Sequence, residues 1–480
     1  MSVIRTRFAP SPTGFLHVGG LRTALYAYLW AKKNNGQFLL RIEDTDRTRL
    51  VPGATENIIA TLKWAGIEFD EGPGKPGVCE SYIQSERLSI YQKYAQQLID
   101  AGHAYECFCS AERLDQVRNA QMEQKLPPAY DKFCRHLTRE QVAQKKLEQA
   151  TWVVRMKVPE DGELTFNDVI REDVTFNYKN VDDQVLIKSD GYPTYHLAVV
   201  VDDHEMQISH VIRGEEWLSS TPKHILLYRY FGWTAPIWAH LPLMLNPDRS
   251  KLSKRQGDVA VEDYRAKGFF PEALVNFIAF LGWNPGDTRE IFSLEELVQE
   301  FTLDRVGKSG AVFNIEKLHW LNQQYLLKMP TSSLVEKLKP LLAEKNLNTF
   351  SDAYLGQVVE LLKDRVTFVH DYLEHGAEFF AAPAVYDQVI KSKCWKAETP
   401  ALVRELVQKI CALPELTAAA VEQTLRGMTT EKQIGVGALM LPMRLCLAGV
   451  GKGASLFGMV AILGKEEVVR RVEKAIAELN

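Results

Sequence analysis

The sequence predicts an α/β domain built on a parallel sheet, interrupted by an α+β insertion and followed by helical domains. Three observations lead to this fold class. A short strand, a glycine-containing turn and a long helix follow one another within residues 3–33. A polar segment at about 101–187 separates this pattern from a second strongly apolar stretch at 194–203. Beyond residue 270 the apolar spacing is that of helices.

The first strand and helix enclose a turn that suits phosphate. Val3–Phe8 is β-prone, and the prolines and glycines that follow cannot continue the strand. Apolar residues recur every three or four positions over Leu21–Lys33, which predicts a helix. Gly19 and Gly20 therefore fall at a helix N-terminus, where amides and the dipole attract phosphate, and His17 can donate a hydrogen bond there. The alternative is a purely structural turn.

Further elements continue the alternation. Gln37–Ile42 predicts a second strand, and Glu43–Asp46 follows at its carboxyl end, where open α/β sheets place ligand-binding groups. Pro52 and Gly66 bound the next helix, because proline suits a first turn and glycine a left-handed stop. Another helix is expected at about Glu86–Ala101.

The sheet is expected to resume after the insertion. Thr194–Asp203 contains a continuous apolar run typical of a strand buried on both faces, and its two final aspartates indicate the carboxyl end of that strand. A helix at Ser220–Phe231 follows the segment 211–217, and His240–Leu245 leads to the loop 246–257. The rest of the chain is predicted to be helical, with helices at 271–282, 294–301, 315–325, 333–345, 355–365 and 465–479 and several more after 401.

Composition excludes some classes of protein. At 480 residues the chain is too long for one core, so three or more modules are expected. No apolar run has the length of a membrane span and no secretory pattern begins the chain, which predicts a cytosolic protein without a membrane partner. The net charge of −4 does not indicate a nucleic-acid binder, although a basic face remains compatible with it.

Four possible zinc ligands lie within a short stretch of the chain. Cys107-x-Cys109 is followed, after 24 residues, by Cys134-x-His136, enough to close a tetrahedral site. Such a closed site is structural, because it leaves no coordination position for substrate. An odd total of seven cysteines also favours metal over disulfides. Free buried thiols are the alternative.

A cationic motif follows the last predicted strand. Lys251-Leu-Ser-Lys-Arg255 places three cations in five residues, which suits neutralisation of a polyphosphate. By itself a solvated basic loop is the simpler interpretation. A glycine helix start paired with such a loop, however, is the arrangement of class I aminoacyl-tRNA synthetases.

Several further strings narrow this resemblance to bacterial-type glutamyl-tRNA synthetases. His17-Val-Gly-Gly20 resembles the family's His-Ile-Gly-His signature and the lysine motif its Lys-Met-Ser-Lys-Ser signature, with departures at Gly20 and Arg255. The other matching strings are Arg7–Gly14, Arg41–Asp46, Gly191–Tyr195, Val201–Asp203 and Val211–Glu215. The resemblance runs from about residue 3 to the C-terminus and is most specific before residue 260.

The resemblance implies a Rossmann-type catalytic domain that activates L-glutamate with ATP and Mg²⁺ and then charges tRNA(Glu). His17, Lys251 and Lys254 are the implied catalytic residues. The implied ATP contacts are Thr13, His17, Gly19, Gly20, Glu216, Lys251, Ser253 and Lys254. For glutamate they are Arg7 and Arg213 on the γ-carboxylate with Tyr195, and Glu43 with Ser11 on the α-ammonium. Some relatives carry Asn where this chain has Val199, so the resemblance does not extend to that substrate contact.

The resemblance also assigns the remaining modules. It implies two catalytic halves at 1–86 and 190–245, an acceptor-binding insertion at 87–189, a stem-contact domain at 246–322 and an anticodon-binding region at 323–480 divided near 380. The insertion of some relatives holds zinc through the same cysteine and histidine pattern, and a related truncated enzyme uses a tyrosine placed like Tyr130. Arg365 matches an arginine that reads the last anticodon base, with an exposed helix arginine as the alternative. A monomer is expected.

Four other functions fit the sequence less well. A tRNA-modifying glutamyl transferase resembles only the catalytic half and lacks the helical modules after 320. A glutaminyl enzyme is expected to lack Arg213 and to end in β-barrels. A catalytically inactive RNA-binding paralogue has no need of His17, Lys251 and Lys254, and a generic nucleotidyltransferase accounts for the first half only.

Overall fold

The computed structural model describes residues 3–148, 151–252, 260–347 and 349–479. The chain divides into two compact units. Residues 1–267 and 271–318 form the first, and residues 268–270 and 319–480 form the second. Within the described ranges no helix is both long and apolar enough to cross a bilayer.

The first unit begins with the predicted alternation of strands and helices. Its opening elements are β1 (Arg5–Phe8), α1 (Val18–Lys33), β2 (Gln37–Leu40), α2 (Ala54–Trp64) and α3 (Leu88–Asp100). The helix stop predicted at Gly66 is confirmed by its left-handed φ of 74°. After the intervening segment come α6 (Tyr195–Glu205), β8 (His210–Gly214), α7 (Thr221–Phe231), β9 (Ile237–Leu241) and β10 (Met244–Leu245).

Between these two groups lie the elements β3 (Ala104–Cys107), α4 (Ala111–Glu123), α5 (Arg139–Glu148), β4 (Val153–Met156), β5 (Glu163–Asp168), β6 (Glu172–Asn177) and β7 (Val185–Ile187). Strands β3, β4 and β7 form an antiparallel sheet of their own. Strand β5 instead pairs with both β6 and β9, so part of this segment extends the main sheet. The unit closes with α8 (Val261–Ala266), α9 (Pro271–Ala279), α10 (Leu294–Glu300) and β11 (Ala311–Val312).

The catalytic-type core is a set of parallel strands. β1 pairs in parallel with β2, and β8 pairs in parallel with β9. A backbone hydrogen bond of 2.9 Å from Ser209 N to Arg5 O joins the two pairs. The carboxyl ends of β1, β2 and β8 carry Phe8, Leu40 and Gly214, and the segments that follow them build the principal cavity. The predicted fold class is confirmed.

One predicted element is wrong. Thr194–Asp203 is not a strand; from Tyr195 it forms helix α6. Leu197 to Val201 are buried without interruption because the helix packs on α3 and α7 within the core, so its apolar run shows no periodicity. The three consecutive valines raised the strand propensity, and tertiary packing overrode it.

The second unit is helical, as predicted. Its helices are α11 (Ile315–Lys328, shared with the end of the first unit), α12 (Thr331–Glu344), α13 (Asp352–Leu362), α14 (Asp371–His375), α15 (Ala377–Phe380), α16 (Gln388–Cys394), α17 (Thr399–Cys411), α18 (Ala418–Glu431), α19 (Gly437–Ala448) and α20 (Leu456–Leu479). Helix α20 is interrupted at Gly464, whose φ of 82° and ψ of 165° are not helical.

Candidate active site

The turn before α1 forms one wall of the site. His17 is the N-cap of α1, and its Nδ1 accepts a 2.9 Å hydrogen bond from the Gly19 amide. A Cβ on Gly20 would lie 2.9 Å from Leu16 Cδ1, so any larger residue there would push the Leu16 side chain aside. His17 therefore orders the helix start as well as facing the turn. Because the Gly19 amide donates to His17 Nδ1 in this structure, a phosphate that binds this amide would replace the ring as its acceptor.

The principal cavity has a volume of about 710 Å³. All five predicted glutamate contacts line it, namely Arg7, Ser11, Glu43, Tyr195 and Arg213. Four predicted ATP contacts line it too, namely Thr13, Gly19, Gly20 and Glu216. His17 lines an adjoining cavity of about 300 Å³ that shares Ser11, Thr13 and Gly20 with the first. The structure thus brings together residues from both halves of the parallel sheet.

A buried charge network forms the floor of the cavity. Arg7 donates to Asp203 at 3.0 and 3.3 Å, and Arg41 donates to Asp203 at 2.8 Å and to Glu43 at 3.2 Å. Burial raises the pKa of Glu43 to about 7, although Arg41 and Arg7 oppose the rise. Burial also acts to raise the pKa of Asp203, but the guanidinium groups of Arg7 and Arg41 outweigh this effect and lower that pKa. Asp203 is the permanent anion, and Glu43 titrates near neutrality.

Arg213 has a different environment, because its hydrogen-bond acceptors are neutral. Nε donates to His240 Nε2 at 3.0 Å, Nη1 contacts Tyr195 Oη at 3.0 Å and His224 Nδ1 at 3.2 Å, and Nη2 reaches Thr221 Oγ1 at 2.9 Å. Burial, followed by the charge of Arg213, holds the pKa of His224 well below its ordinary value, so that ring is uncharged. As a whole residue, Arg213 is only 5% exposed.

Among the described residues, Arg213 forms no ion pair with the nearby Glu215 or Glu216. Glu215 instead contacts Arg171 at 2.5 Å and accepts from the Leu243 amide at 2.8 Å. Arg213 therefore keeps a positive charge that no carboxylate of the described residues contacts directly. An anionic group entering the cavity would supply the missing charge.

The structure describes the residues on both sides of segment 253–259, which carries most of the lysine motif. Leu245 and Lys251 form an antiparallel bridge, and His17 forms another with Ala260. Lys251 is exposed. Ser253 and Lys254 lie outside the described residues. The second bridge places Ala260 against the turn that carries His17.

Three of the four predicted metal ligands come together. The Sγ atoms of Cys107, Cys109 and Cys134 lie within 4.8 Å of one another. Hydrogen bonds, chiefly the one with Cys134, lower the pKa of Cys107 to about 4 against the effect of burial. Tyr130 Oη lies 3.3 Å from Cys107 Sγ and 3.6 Å from Cys109 Sγ. The cluster of three cysteines and a phenol fits a four-coordinate soft-metal site.

His136 does not join this cluster, which corrects the predicted ligand set. Cys134 and His136 occupy one 3₁₀ turn, Phe133–His136, in which residues two apart point in different directions. Cys134 is accordingly buried while His136 is exposed. The hydroxyl of Tyr130, the alternative fourth ligand, lies next to two of the sulfur atoms instead.

Arg365 lies in the second unit, in the 3₁₀ turn Lys363–Arg365 after α13. Its side chain is exposed, and Nη1 donates to Gly453 O at 3.0 Å. The glycine-rich turn at 449–453 thus meets the predicted base-reading arginine, a pairing that the sequence did not indicate. The structure leaves the guanidinium accessible for a further contact.

Sequence reasoning missed two buried side chains near Arg213 and one side chain that lines the principal cavity. Trp217 lines it and lies 4.2 Å, centroid to centroid, from the ring of Tyr195. His240 and Asp168 are fully buried behind Arg213. No sequence signal could have found the last two, because only the pairing of β5 with β9 brings residue 168 to residue 240.

The fold and the cavity define a class I aminoacyl-tRNA synthetase. Residues 3–320 match the family described as tRNA synthetases class I (E and Q), catalytic domain, and residues 333–476 match an anticodon binding domain. A glutamate–tRNA ligase of Chloroherpeton thalassium is 50% identical over 99% of this chain and 98% of its own length. A glutamate–tRNA ligase of Chlorobium phaeobacteroides is also 50% identical, over 98% of this chain and 97% of its own length.

Solved structures agree with these relatives. A glutamate tRNA ligase from Elizabethkingia meningosepticum, crystallised in complex with its amino acid, has a TM-score of 0.95 at 42% identity and full coverage of both chains. A glutamate–tRNA synthetase from Elizabethkingia anophelis has a TM-score of 0.91 at 41% identity, over 99% of this chain and 100% of that one. The chain belongs to the glutamate–tRNA ligase family.

Proposed function

We propose that this enzyme activates L-glutamate with ATP and transfers the glutamyl group to the 3′ end of tRNA(Glu). The observation that carries the proposal is the shared cavity, in which a buried and directly unneutralised Arg213 lies with Glu43 beside the glycine start of α1. An amino acid with two carboxylates and one ammonium group is complementary to that charge pattern. The substrate α-carboxylate attacks the α-phosphate of ATP, pyrophosphate leaves, and a ribose hydroxyl of tRNA then displaces AMP.

Recognition of the amino acid follows from the charges. Arg213 and Arg7 receive the γ-carboxylate, and the hydroxyl of Tyr195, which contacts Arg213 at 3.0 Å, adds a donor. Glu43 and Ser11 receive the α-ammonium. Glutamine would leave the charge of Arg213 uncompensated, at a cost of about 3–5 kcal/mol by comparison with breaking a buried ion pair. That cost gives selection without an editing site.

The ATP side uses the groups around the glycine start of α1. The nucleotide contacts are Thr13, His17, Gly19, Gly20 and Glu216, while Lys251, Ser253 and Lys254 meet the departing pyrophosphate. Mg²⁺, when bound, neutralises charge across the phosphates. Because His17 Nδ1 accepts from the Gly19 amide, its Nε2 is the nitrogen that carries the proton and can donate to phosphate. The protein groups position the reactants rather than form covalent intermediates.

The remaining modules serve tRNA. Zinc held by Cys107, Cys109, Cys134 and Tyr130 would stabilise the insertion 87–189, which we assign to the acceptor end. Residues 1–86 and 190–245 form the catalytic halves, 246–322 contact the stem, and 323–480 read the anticodon with Arg365 on the last base. We further propose a cytoplasmic monomer, which sedimentation of the purified protein and cell fractionation test.

The direct test is incorporation of radiolabelled glutamate into acid-precipitable tRNA. Wild-type protein should charge tRNA(Glu) and use glutamine at least a hundredfold less efficiently, given the cost of an unpaired buried charge. Arg213→Gln should lose most charging with glutamate, whereas Lys63→Met, an exposed substitution on α2, should retain it. Wild-type protein that charges no tRNA with glutamate would contradict the proposal.

A further inference from the structure

Two buried side chains support Arg213, and they line neither of the two cavities described above. Arg213 on β8 and His240 on β9 are directly opposite in the register of the two strands. His240 Nδ1 lies 2.6 Å from Asp168 Oδ2, and Asp168 stands at the end of β5. The three residues form a row across adjacent strands in the order β8, β9, β5.

The row is fixed on its far side by the backbone. Asp168 Oδ1 accepts from the amides of Ile170 and Arg171 at 3.0 and 2.9 Å, and the His240 amide lies 3.2 Å from Asp168 Oδ2. Asp168 and His240 are 1% and 0% exposed. A carboxylate so heavily bonded to one turn and one ring leaves neither group free to rotate.

The protonation states follow from the surroundings. For Asp168, burial acts to raise the pKa, but the hydrogen bonds from His240 and the two amides lower it overall. For His240, burial lowers the pKa, and Arg213 and Arg171 add to this effect while Asp168 opposes it. An ionised Asp168 beside a neutral ring requires the proton on Nδ1. His240 Nε2 is then an acceptor, which is what the Nε–H of Arg213 needs at 3.0 Å.

We propose that Asp168 and His240 are positioning residues for glutamate recognition: Asp168 fixes the tautomer of His240, and His240 orients the guanidinium fork of Arg213 toward the substrate carboxylate. The inference rests on the proposed function, since it takes Arg213 as a glutamate contact. It adds a residue of the segment between the catalytic halves to the glutamate pocket. The neutral ring of His240 lies between Asp168 and Arg213, so the negative charge of Asp168 is separated from the positive charge of Arg213 by one side chain.

The Asp168→Asn variant tests this tautomer control. Asn Oδ1 can keep the amides of Ile170 and Arg171 and also lies within reach of the His240 amide, 3.3 Å from Asp168 Oδ1, and Nδ2 then donates to His240 Nδ1. The ring proton must move to Nε2, where it opposes the Arg213 Nε–H. We expect the KM for glutamate to rise about ten- to hundredfold, as for loss of a supporting hydrogen bond, with the KM for ATP within about twofold of wild type. Asp173→Asn, exposed on β6, is the matched control and should change neither.

Two substitutions of His240 complete the test. In His240→Gln the amide oxygen can occupy the position of Nε2 and accept from Arg213, whereas the shorter Asn in His240→Asn reaches only the position of Nδ1. His240→Gln should therefore raise the KM for glutamate less than His240→Asn. Adding Asp168→Asn to His240→Gln should change little, because no tautomer remains to be fixed. Since the two histidine variants keep Asp168 in place, they carry the test if Asp168→Asn does not fold.

The outcomes separate this proposal from the function itself. Wild-type protein that fails to charge tRNA with glutamate overturns the function. An active wild type together with an unchanged glutamate KM in Asp168→Asn overturns only the positioning role. The positioning role would also be overturned if the KM values for glutamate and ATP rose equally, or if His240→Gln and His240→Asn had equal effects. Either result would indicate a general structural defect.

Discussion

The raised pKa of Glu43 gives a quantitative prediction for pH dependence. Glu43 can accept from the substrate α-ammonium only as a carboxylate, and burial raises its pKa to about 7. Between pH 7.5 and pH 5.5 the ionised fraction falls from about three quarters to about 3%, so kcat/KM for glutamate should fall about 25-fold. If the Glu43 side chain had the ordinary pKa of a glutamic acid side chain, kcat/KM would change only about 1.1-fold between pH 7.5 and pH 5.5.

The assay is tRNA charging at saturating ATP and tRNA, with glutamate varied at each pH. Glu43→Gln identifies the titrating group, since it removes the carboxylate while preserving most of the shape. The variant should have a low kcat/KM at every pH and little slope below pH 7.5. A flat wild-type profile, or an equal slope in wild type and Glu43→Gln, would refute the reasoning.

Three further predictions concern other parts of the molecule. Purified protein should contain one zinc per chain. The Tyr130→Phe variant should lose its zinc to a chelator faster than the His136→Ala variant. Metal analysis that shows faster loss from His136→Ala would restore His136 as the ligand. Arg365→Gln should charge tRNA(Gln) measurably while its KM for glutamate stays unchanged, and unaltered tRNA selectivity would refute the anticodon role. Arg41→Met leaves Asp203 and Glu43 without their shared cation, so it should lower the free energy of unfolding, measured by urea titration, by about 3–5 kcal/mol. The control variant Lys63→Met, which changes an exposed residue, should stay within about 0.5 kcal/mol of wild type.

Local patterns predicted much of the fold. The strand, glycine turn and helix at 5–33, the helix stop at Gly66 and the helical second unit depend on neighbouring residues, and the structure confirms them. Thr194–Asp203 failed because the same apolar run suits either a buried strand or a buried helix, and only packing against α3 and α7 decides between them.

The candidate site divides in the same way. Motif strings identified Arg7, Glu43 and Arg213 because their spacing resembles a known family, and all three line the cavity. The fourth ligand of the cysteine cluster could not be chosen by spacing, since Tyr130 and His136 are both near Cys134 and the local 3₁₀ turn decides which one faces the sulfur atoms. Asp168 and His240 were out of reach because strand pairing alone joins them.

The central claim is that this cavity selects and activates glutamate. Glutamate-dependent exchange between ATP and pyrophosphate, measured with and without tRNA(Glu) and tRNA(Gln), tests it most directly. The account predicts exchange with glutamate, strongest when tRNA(Glu) is present, and little exchange with glutamine. Exchange supported by glutamine but not by glutamate would contradict the roles assigned to Arg213 and Glu43.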